Sequence, residues 1–170
     1  MLGKYKKKKP KIDKTSFIAP SADVIGDVTV GEESSIWFGA SVRADEQAIE
    51  IGKRTSIQDN CSVHVCPHHP TIIKDDVTVG HNAVIHGCTV NSNCIIAIGS
   101  VLLNGCIIGK NSVIGAGAVV MENQKIPPNS LAVGIPAKVV KRLMPADVKK
   151  IKENADEYVS LAKKYLKQKL

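Results

Sequence analysis

Aliphatic residues recur at every sixth position along most of this 170-residue chain, and this period constrains the fold more than any other feature. The repeated positions, called anchors below, are Ile18, Val24, Val30, Ile36, Val42, Ile51, Ile57, Val63, Ile73, Val79, Ile85, Val90, Ile96, Leu102, Ile108, Ile114 and Val120. The step is interrupted at residues 43–50 and 64–72, and it shortens to five before Val90. A short period of this kind indicates a stacked repeat architecture. We expect the two interruptions to be loops that leave the stack at its corners.

A small or modest side chain follows most anchors by four residues. These positions are Ala22, Val28, Ser34, Ala40, Thr55, Cys61, Val77, Ala83, Thr89, Cys94, Ser100, Cys106, Ser112 and Ala118. This pattern is the hexapeptide repeat of a parallel β-helix, an all-β fold in which each unit forms one flat face of a triangular coil. The anchor points inward, the small residue fits the tight corner, and equivalent faces stack about 4.8 Å apart. An aliphatic core also suits the composition, because 44% of residues are hydrophobic but only 4% are aromatic.

Three segments follow from this pattern. Residues 1–14 are a basic N-terminal segment, residues 15–143 the β-helix, and residues 144–170 a C-terminal amphipathic helix. The helix is predicted from about 145 to 168, because Pro145 suits a first helical turn and apolar residues then recur at spacings of three and four. Its stripe consists of Val148, Ile151, Ala155, Tyr158, Ala162 and Tyr165, widened by Leu161. The stripe must cover a flank of the β-helix or a neighbouring subunit.

The formal net charge of +7 is concentrated near the N-terminus and in the C-terminal helix. Basic runs can bind nucleic acid or anionic membranes, but we favour solvated surfaces with neither partner. No run of about 18 apolar residues predicts a membrane span, and the N-terminus lacks the apolar region of a secretory signal. The cysteines, which are Cys61, Cys66, Cys88, Cys94 and Cys106, are odd in number and show no paired spacing. We therefore expect a reducing, cytoplasmic location.

Histidines occupy equivalent positions in successive coils. His64 and His86 each follow an anchor directly, and three steps, one full turn, separate those anchors. They are expected on one face in adjacent coils, about 5 Å apart at the backbone, with Arg43 in the coil below. Asp59 and His81 each stand two residues after an anchor, so they form a second ladder on the adjacent face.

The three histidines have two interpretations. Histidines on a β-helix face can be plain surface residues. Alternatively, three stackable histidines, with Gln58 and Asp59 in the same ladders, are the ligand set of an open catalytic zinc site. His81 lies one face away from the other two, so it reaches their site most easily from a neighbouring chain. A trimer around a threefold axis would then carry three identical sites.

Three stretches of the sequence, "VRAD" (42–45), "IQDNCSVH" (57–64) and "GHNAVIHGC" (80–88), resemble the signature of the γ-class carbonic anhydrases and their close relatives. The resemblance covers about residues 12–143 and implies a left-handed coil. It also implies a homotrimer in which His64, His81 and His86 bind Zn²⁺, or alternatively Fe²⁺ or Co²⁺, with His81 crossing the interface. The implied reaction is the reversible hydration of CO₂ to bicarbonate by a metal-bound hydroxide.

The same resemblance implies roles for residues around the histidines. Arg43 and Asp45 match the family's intersubunit salt-bridge pair, and Asp59 matches an interface partner of the arginine. Gln58 matches the residue that orients the metal-bound hydroxide.

Proton transfer is where the sequence departs from the best-known members of that family. Their shuttle glutamate lies in a loop that is short here, "VCPHHPTI", and contains His68 and His69 instead. A histidine with an ordinary pKa near 6.5 can shuttle protons, or these two can be solvated loop residues. Glu46 matches a carboxylate near the metal that could relay protons. Tyr158 matches a tyrosine near the active site, with simple packing as the alternative.

Two other functions stay open at this point. One is a hexapeptide-repeat acyltransferase that uses an acyl-CoA donor and a histidine general base without a metal. The segment "GIPAKVVK" is shared with that wider group and does not discriminate. The other is a catalytically silent metal-binding trimer, in which the ligands are present but the proton relay is missing.

Overall fold

The anchors fill the interior of a triangular coil in the computed structural model, which describes residues 1–168. Every anchor except the partly buried Ile18 is at most 2% exposed. Full burial of one such aliphatic side chain stabilises a fold by about 1.5–3 kcal/mol, so the repeated anchors account for most of the core. The predicted fold class, an all-β parallel β-helix of hexapeptide repeats with a C-terminal helix, is confirmed.

The secondary structure consists of short strands followed by one long helix. In chain order the strands are β1 (Leu2–Gly3), β2 (Lys11–Ile12), β3 (Phe17–Ile18), β4 (Asp23–Val30), β5 (Ser35–Ile36), β6 (Ser41–Ile51), β7 (Ser56–Ile57), β8 (Ser62–His64), β9 (Thr71–Ile73), β10 (Thr78–Val79), β11 (Val84–His86), β12 (Thr89–Val90), β13 (Ile95–Ile96), β14 (Val101–Leu102), β15 (Ile107–Ile108), β16 (Val113–Ile114), β17 (Val119–Val120), β18 (Lys125–Ile126), β19 (Ser130–Val133) and β20 (Lys138–Arg142). The helix, α1, spans Pro145–Gln168, and Lys169 and Leu170 of the predicted segment lie outside the described residues. No helix within residues 1–168 is long and apolar enough to cross a membrane.

Equivalent strands of successive coils pair in parallel and form three faces. The first face has the order β3, β5, β7, β10, β13, β16, β19, and antiparallel β20 closes its end. The second contains β1, the first halves of β4 and β6, then β8, β11, β14 and β17. The third contains β2, the second halves of β4 and β6, then β9, β12, β15 and β18. Residues 1–14, expected as a basic segment ahead of the β-helix, thus contribute two strands to it.

Both interruptions of the repeat are shorter than predicted. In the first, Arg43 and Ala44 stay paired with β4, and pairing resumes at Ile49, so only residues 45–48 stand outside the ladder. In the second, His64 still pairs with β11, and strand β9 begins at Thr71. The periodicity overestimated the length of these loops, because strand pairing continues beyond the last buried anchor until the chain leaves the sheet.

The corner between the third and first faces carries a row of polar residues, called the polar ridge below. Its members are Glu33, Arg54, Asp76, Asn93, Asn111 and Asn129, one from each successive coil, and all have φ between 55° and 59°. Asn and Asp tolerate this left-handed conformation better than other non-glycine residues, which suits them to a repeated corner.

Helix α1 lies along this ridge and covers the first face of its own chain. Its buried residues are Ile151, Ala155, Val159 and Ala162. Near its end, the Tyr165 ring packs against Phe17 and Trp37, with centroids 5.4 and 5.2 Å apart. Ion pairs join its polar side to the ridge, namely Lys152 with Asp76, Asp156 with Arg54, and Lys163 with Glu33. Of the two predicted targets, the apolar stripe therefore covers the flank of its own β-helix.

Candidate metal centre

His64 and His86 lie side by side on the second face. Their Cα atoms are partners in the ladder between β8 and β11, the register expected from the sequence. His64 Nδ1 is 3.0 Å from His86 Nε2, and the ring centroids are 5.0 Å apart. The preceding anchors, Val63 and Ile85, are almost fully buried, so the core fixes both backbones.

Each of these imidazoles has an oxygen acceptor at its other nitrogen. His64 Nε2 lies 2.9 Å from Asp45 Oδ1, and His86 Nδ1 lies 2.6 Å from Asn104 Oδ1. When an N–H points at each oxygen, the lone pairs of His64 Nδ1 and His86 Nε2 face one another. Such lone pairs need a proton or a cation between them. Metal-ligating histidines usually have this arrangement, with the second nitrogen donating to an oxygen.

The spacing of the two free nitrogens fits a metal ion closely. Two imidazole nitrogens on one tetrahedral zinc ion lie about 3.3 Å apart, given Zn–N bonds of about 2.0–2.1 Å. The observed 3.0 Å between His64 Nδ1 and His86 Nε2 is slightly shorter. The rings therefore need only a small separation to accept a shared metal, and the donor set fits such an ion.

Asp45 is held in its ionised form. Partial burial acts to raise the pKa of its carboxyl, but the hydrogen bond with His64, a backbone hydrogen bond and the positive charge of Arg43 outweigh it and lower the pKa. The Arg43 guanidinium contacts the second carboxylate oxygen. A permanent negative charge beside His64 favours donation of the Nε2 proton to Asp45 and leaves Nδ1 free.

His81 lies at the corner between the first and second faces, two residues after the end of β10. Pairing of Val79 with Ile57 places His81 over Asp59, as the second predicted ladder requires, and His81 Nδ1 is 3.0 Å from Asp59 Oδ2. The buried Gln58 accepts a hydrogen bond from the His81 backbone N–H at 3.2 Å. His81 thus also has a carboxylate at one nitrogen, which leaves Nε2 as its possible metal-binding atom.

The three histidines do not converge within one chain. In residues 1–168, no group of three or more His, Cys, Asp or Glu side chains is arranged to hold a metal ion. His64 and His86 project from a face and His81 from the neighbouring corner. A three-histidine site would therefore need His81 from a second copy.

The remaining predicted residues surround this region without joining the histidine pair. Glu46 is exposed in the insert of residues 45–48, next to Asp45. Burial and the nearby charges of Asp59 and Glu157 raise the pKa of Tyr158, so its hydroxyl stays protonated at neutral pH. The Tyr158 ring also packs on Trp37, with centroids 6.1 Å apart. Tyr158 therefore combines the packing role with a position beside Asp59.

The two loop histidines differ from each other. His68 is exposed at the tip of the turn. His69 is partly buried, and its backbone N–H donates to the Cys66 carbonyl at 3.1 Å, which closes the turn. Neither has a side-chain hydrogen bond to His64 or His86 among the described residues.

Asn104 and Thr71 make contacts with the histidine pair that the sequence did not predict. Asn104 holds His86, and the Thr71 hydroxyl donates to the His64 carbonyl at 2.5 Å and accepts from the Gly87 N–H at 3.0 Å. Extending the register by one coil would have placed Asn104 near His86, because the two strands pair directly.

The cysteines behave as core residues. All five carry free thiols, and every one except Cys66 is buried. Burial raises the pKa of Cys61 to about 11 and that of Cys94 to about 12, which keeps both thiols protonated and unreactive. Cys88 does not fit the plain six-residue register, yet it fills a corner because the short step before Val90 moves that corner by one residue.

Comparisons with known proteins agree with this geometry. Residues 88–121 match the family model described as bacterial transferase hexapeptide (six repeats). A Methanocaldococcus jannaschii protein named "Probable carbonic anhydrase" is 52% identical over 151 residues, which is 89% of this chain and 95% of that protein. "Gamma carbonic anhydrase 2, mitochondrial" of Arabidopsis thaliana is 43% identical over 91% of this chain, but the match spans only 58% of its own length.

A solved Bacillus cereus protein, provisionally described as an acetyltransferase, has nearly the same fold. Its TM-score is 0.95 at 44% identity, and the match covers 96% of this chain and 95% of that protein. Proteins that are 44–52% identical to this chain are therefore described both as carbonic anhydrases and as acetyltransferases.

Proposed function

The chain belongs to the γ-class carbonic anhydrase family of hexapeptide-repeat proteins, and on that premise we propose that it catalyses the reversible hydration of CO₂ to bicarbonate at a metal site shared between subunits of a homotrimer. The observation that carries the proposal is the pair of His64 and His86, whose free nitrogens face one another at 3.0 Å. Zn²⁺ is the proposed metal, with Fe²⁺ and Co²⁺ as alternatives, because imidazole suits all three ions.

His81 of a neighbouring subunit is the proposed third ligand. Its side chain is 41% exposed, and Asp59 binds its Nδ1, which leaves Nε2 for a metal ion shared with another chain. Above the histidine pair, the second face continues with the half-buried aliphatic residues Val101 and Leu103, and Ile98 at the corner is 55% exposed. Such a surface suits contact between copies, and threefold symmetry would make all three sites identical.

A bound divalent metal supplies an activated water, because it lowers the pKa of that water to about 7. The chain's own residues supply ligands, orientation and a dry recess. The buried Gln58 is fixed through its Oε1 by the His81 N–H, so its amide group is positioned to orient a reacting oxygen. Aliphatic side chains beside the pair, such as Val84 and Leu103, give CO₂ an apolar environment.

Proton transfer to solvent is assigned to groups around the pair. Glu46 adjoins Asp45, is exposed and can pass protons to water. Tyr158 keeps its proton at neutral pH, so we assign it a hydrogen-bonding role beside Asp59. His68, which is exposed at the tip of its turn, is the alternative proton acceptor.

A metal-free acyltransferase is the second candidate, favoured by the description of the Bacillus cereus protein. Such an enzyme needs one histidine as a general base. It does not explain why all three histidines have an oxygen acceptor at one nitrogen. The same arrangement would serve a catalytically silent metal-binding trimer, and only an activity measurement separates that case from the anhydrase.

We propose a cytoplasmic location because five free cysteines suit a reducing compartment. The Arabidopsis relative is named as mitochondrial. Fractionation of cells of the source organism, followed by immunodetection, tests this assignment.

The proposed function is tested by metal content and stopped-flow CO₂ hydration on protein purified without oxygen. We expect about one metal per chain and hydration that is lost in His81→Ala. Lys125→Ala, on the outer side of the third face, is a control with unchanged metal and activity. Metal without hydration would establish the silent trimer instead. Absence of metal would exclude the three-histidine site and favour acyl-thioester donors.

A further inference from the structure

A cavity of about 610 Å³ lies where α1 begins, at the end of the polar ridge. Its apolar wall consists of Leu143, Met144, Pro145 and Val148. The cavity adjoins the corner between the third and first faces, whereas the histidines belong to the second face and its corner with the first. Its volume falls within the range of about 300–1,000 Å³ that small-molecule sites occupy. It is thus a separate candidate site, which the proposed hydration reaction does not use.

An asparagine ladder ends at this cavity. Asn93 Nδ2 donates to Asn111 Oδ1 at 2.9 Å, and Asn111 Nδ2 donates to Asn129 Oδ1 at 3.1 Å. The Val148 carbonyl, 3.5 Å from Asn93 Nδ2, supports this direction of the ladder because a carbonyl oxygen accepts from a donor there. The last amide, Asn129 Nδ2, has no hydrogen-bond partner within residues 1–168 and borders the cavity.

Arg142 supplies a positive charge at the same cavity. Its guanidinium is exposed and forms no ion pair with any residue of the described part of the chain. The Asp147 carboxylate binds other groups, because its Oδ2 contacts Lys141 Nζ at 3.0 Å and accepts from the Met144 N–H at 3.0 Å. Those contacts also lower the pKa of Asp147. The charge of Arg142 therefore remains available to a ligand.

We infer that this cavity binds a small monocarboxylate with an apolar body. The carboxylate would accept from the Arg142 guanidinium and from Asn129 Nδ2, while the apolar wall covers the body of the ligand. Hydrogen-bonded amides polarise one another, so the free N–H₂ at the end of the ladder is a better donor than an isolated amide.

The charge and shape of the site favour a carboxylate over other head groups. A guanidinium presents planar paired donors that match a carboxylate. One unpaired arginine balances one negative charge, whereas a phosphate dianion would place a second charge near Asp147. A neutral alcohol would leave the arginine without its partner.

Sodium hexanoate is the probe, titrated calorimetrically into the full-length protein as purified. We expect saturable binding that weakens at least about tenfold in Arg142→Gln, because a charge-assisted hydrogen bond is lost. Hexan-1-ol and hexylphosphonate should bind at least about tenfold more weakly than hexanoate. Val148→Phe, which fills the cavity, should abolish binding, and its melting curve verifies that the variant is folded.

Two control variants test whether hexanoate binding belongs to this cavity. Lys138→Gln removes an exposed charge from the same strand, β20, and should bind hexanoate as the wild type does. His86→Ala removes a proposed metal ligand and should also leave hexanoate binding unchanged, so the result does not depend on the proposed hydration. Equal affinity of Arg142→Gln and wild type, or loss of binding in His86→Ala, would overturn the inference.

Discussion

Asp45 Oδ1 lies 2.9 Å from His64 Nε2, while Arg43 contacts the other oxygen of the same carboxylate. An exposed guanidinium is thereby linked through one carboxylate to an imidazole of the proposed metal centre. An outer carboxylate of this kind fixes the tautomer of a ligating histidine and makes it more basic. Asp45 is therefore expected to matter to the metal although it does not ligate it.

Replacing this carboxylate should weaken the metal centre without removing a ligand. In Asp45→Asn, we expect metal affinity to fall about 10–100-fold, because the amide lacks the negative charge that holds the His64 N–H. Competition with a chromophoric chelator measures the change. Asp27→Asn is the matched control, since Asp27 pairs with Lys8 at 2.8 Å. An equal loss of metal affinity in Asp45→Asn and Asp27→Asn would contradict the role given to Asp45.

A shared site makes a specific prediction for mixed trimers. His64→Ala and His81→Ala should each be inactive alone. When the two are unfolded together and refolded as an equal mixture, about a quarter of the sites combine an intact His64 with an intact His81 from the next subunit. Stopped-flow CO₂ hydration should then recover to about a quarter of the wild-type rate. No recovery, in a mixture shown to contain mixed trimers, would exclude ligands from two chains.

The repeat and the ladders could be predicted because they rest on one rule, the stacking of equivalent positions. The pairings of His64 with His86 and of Val79 with Ile57 follow directly from counting anchors. The boundaries of α1 followed from Pro145 and the spacing of its apolar residues. Local sequence and fold agree at these positions, and sequence reasoning succeeds there.

Contacts that depend on side-chain reach or on chain reversal could not be predicted in this way. The ion pairs of α1 with Arg54 and Asp76 join residues far apart in sequence, and neither segment contains a pattern that indicates its partner. The extent of the two interruptions depends on backbone pairing, which the anchors do not report. The strands β1 and β2 of the basic N-terminal segment could not be predicted for a similar reason, because that segment lacks the six-residue period.

Burial of the anchors should dominate stability. Ile85→Ala removes a fully buried side chain between neighbouring coils, next to His86, and should lower the free energy of unfolding by about 2–5 kcal/mol. Ile107→Ala is the matched control, because Ile107 lies on an outer face and is 37% exposed. Its expected loss is below about 1 kcal/mol, since little apolar surface leaves the interior. Urea unfolding at equal protein concentration measures both, and similar losses would contradict the inward orientation of the anchors.

The attachment of α1 should weaken at acid pH. A hydrogen bond from Lys163, together with the charges of Lys163 and Arg54, lowers the pKa of Glu33 despite its partial burial. A carboxyl whose folded-state pKa is depressed stabilises the fold above its unfolded pKa and loses that contribution as the pH falls through the folded value. Melting temperatures between pH 7 and about pH 3 should therefore decline more steeply for the wild type than for Glu33→Gln.

The two proteins should differ at neutral pH and converge at the acid end, because protonated Glu33 resembles glutamine in charge. Glu32→Gln is the matched control, since Glu32 is 56% exposed and its bond to Lys53 at 3.1 Å is open to solvent. That variant should follow the wild-type curve at every pH. A difference between wild type and Glu33→Gln that stays constant with pH would show that the ionised carboxylate does not hold the helix.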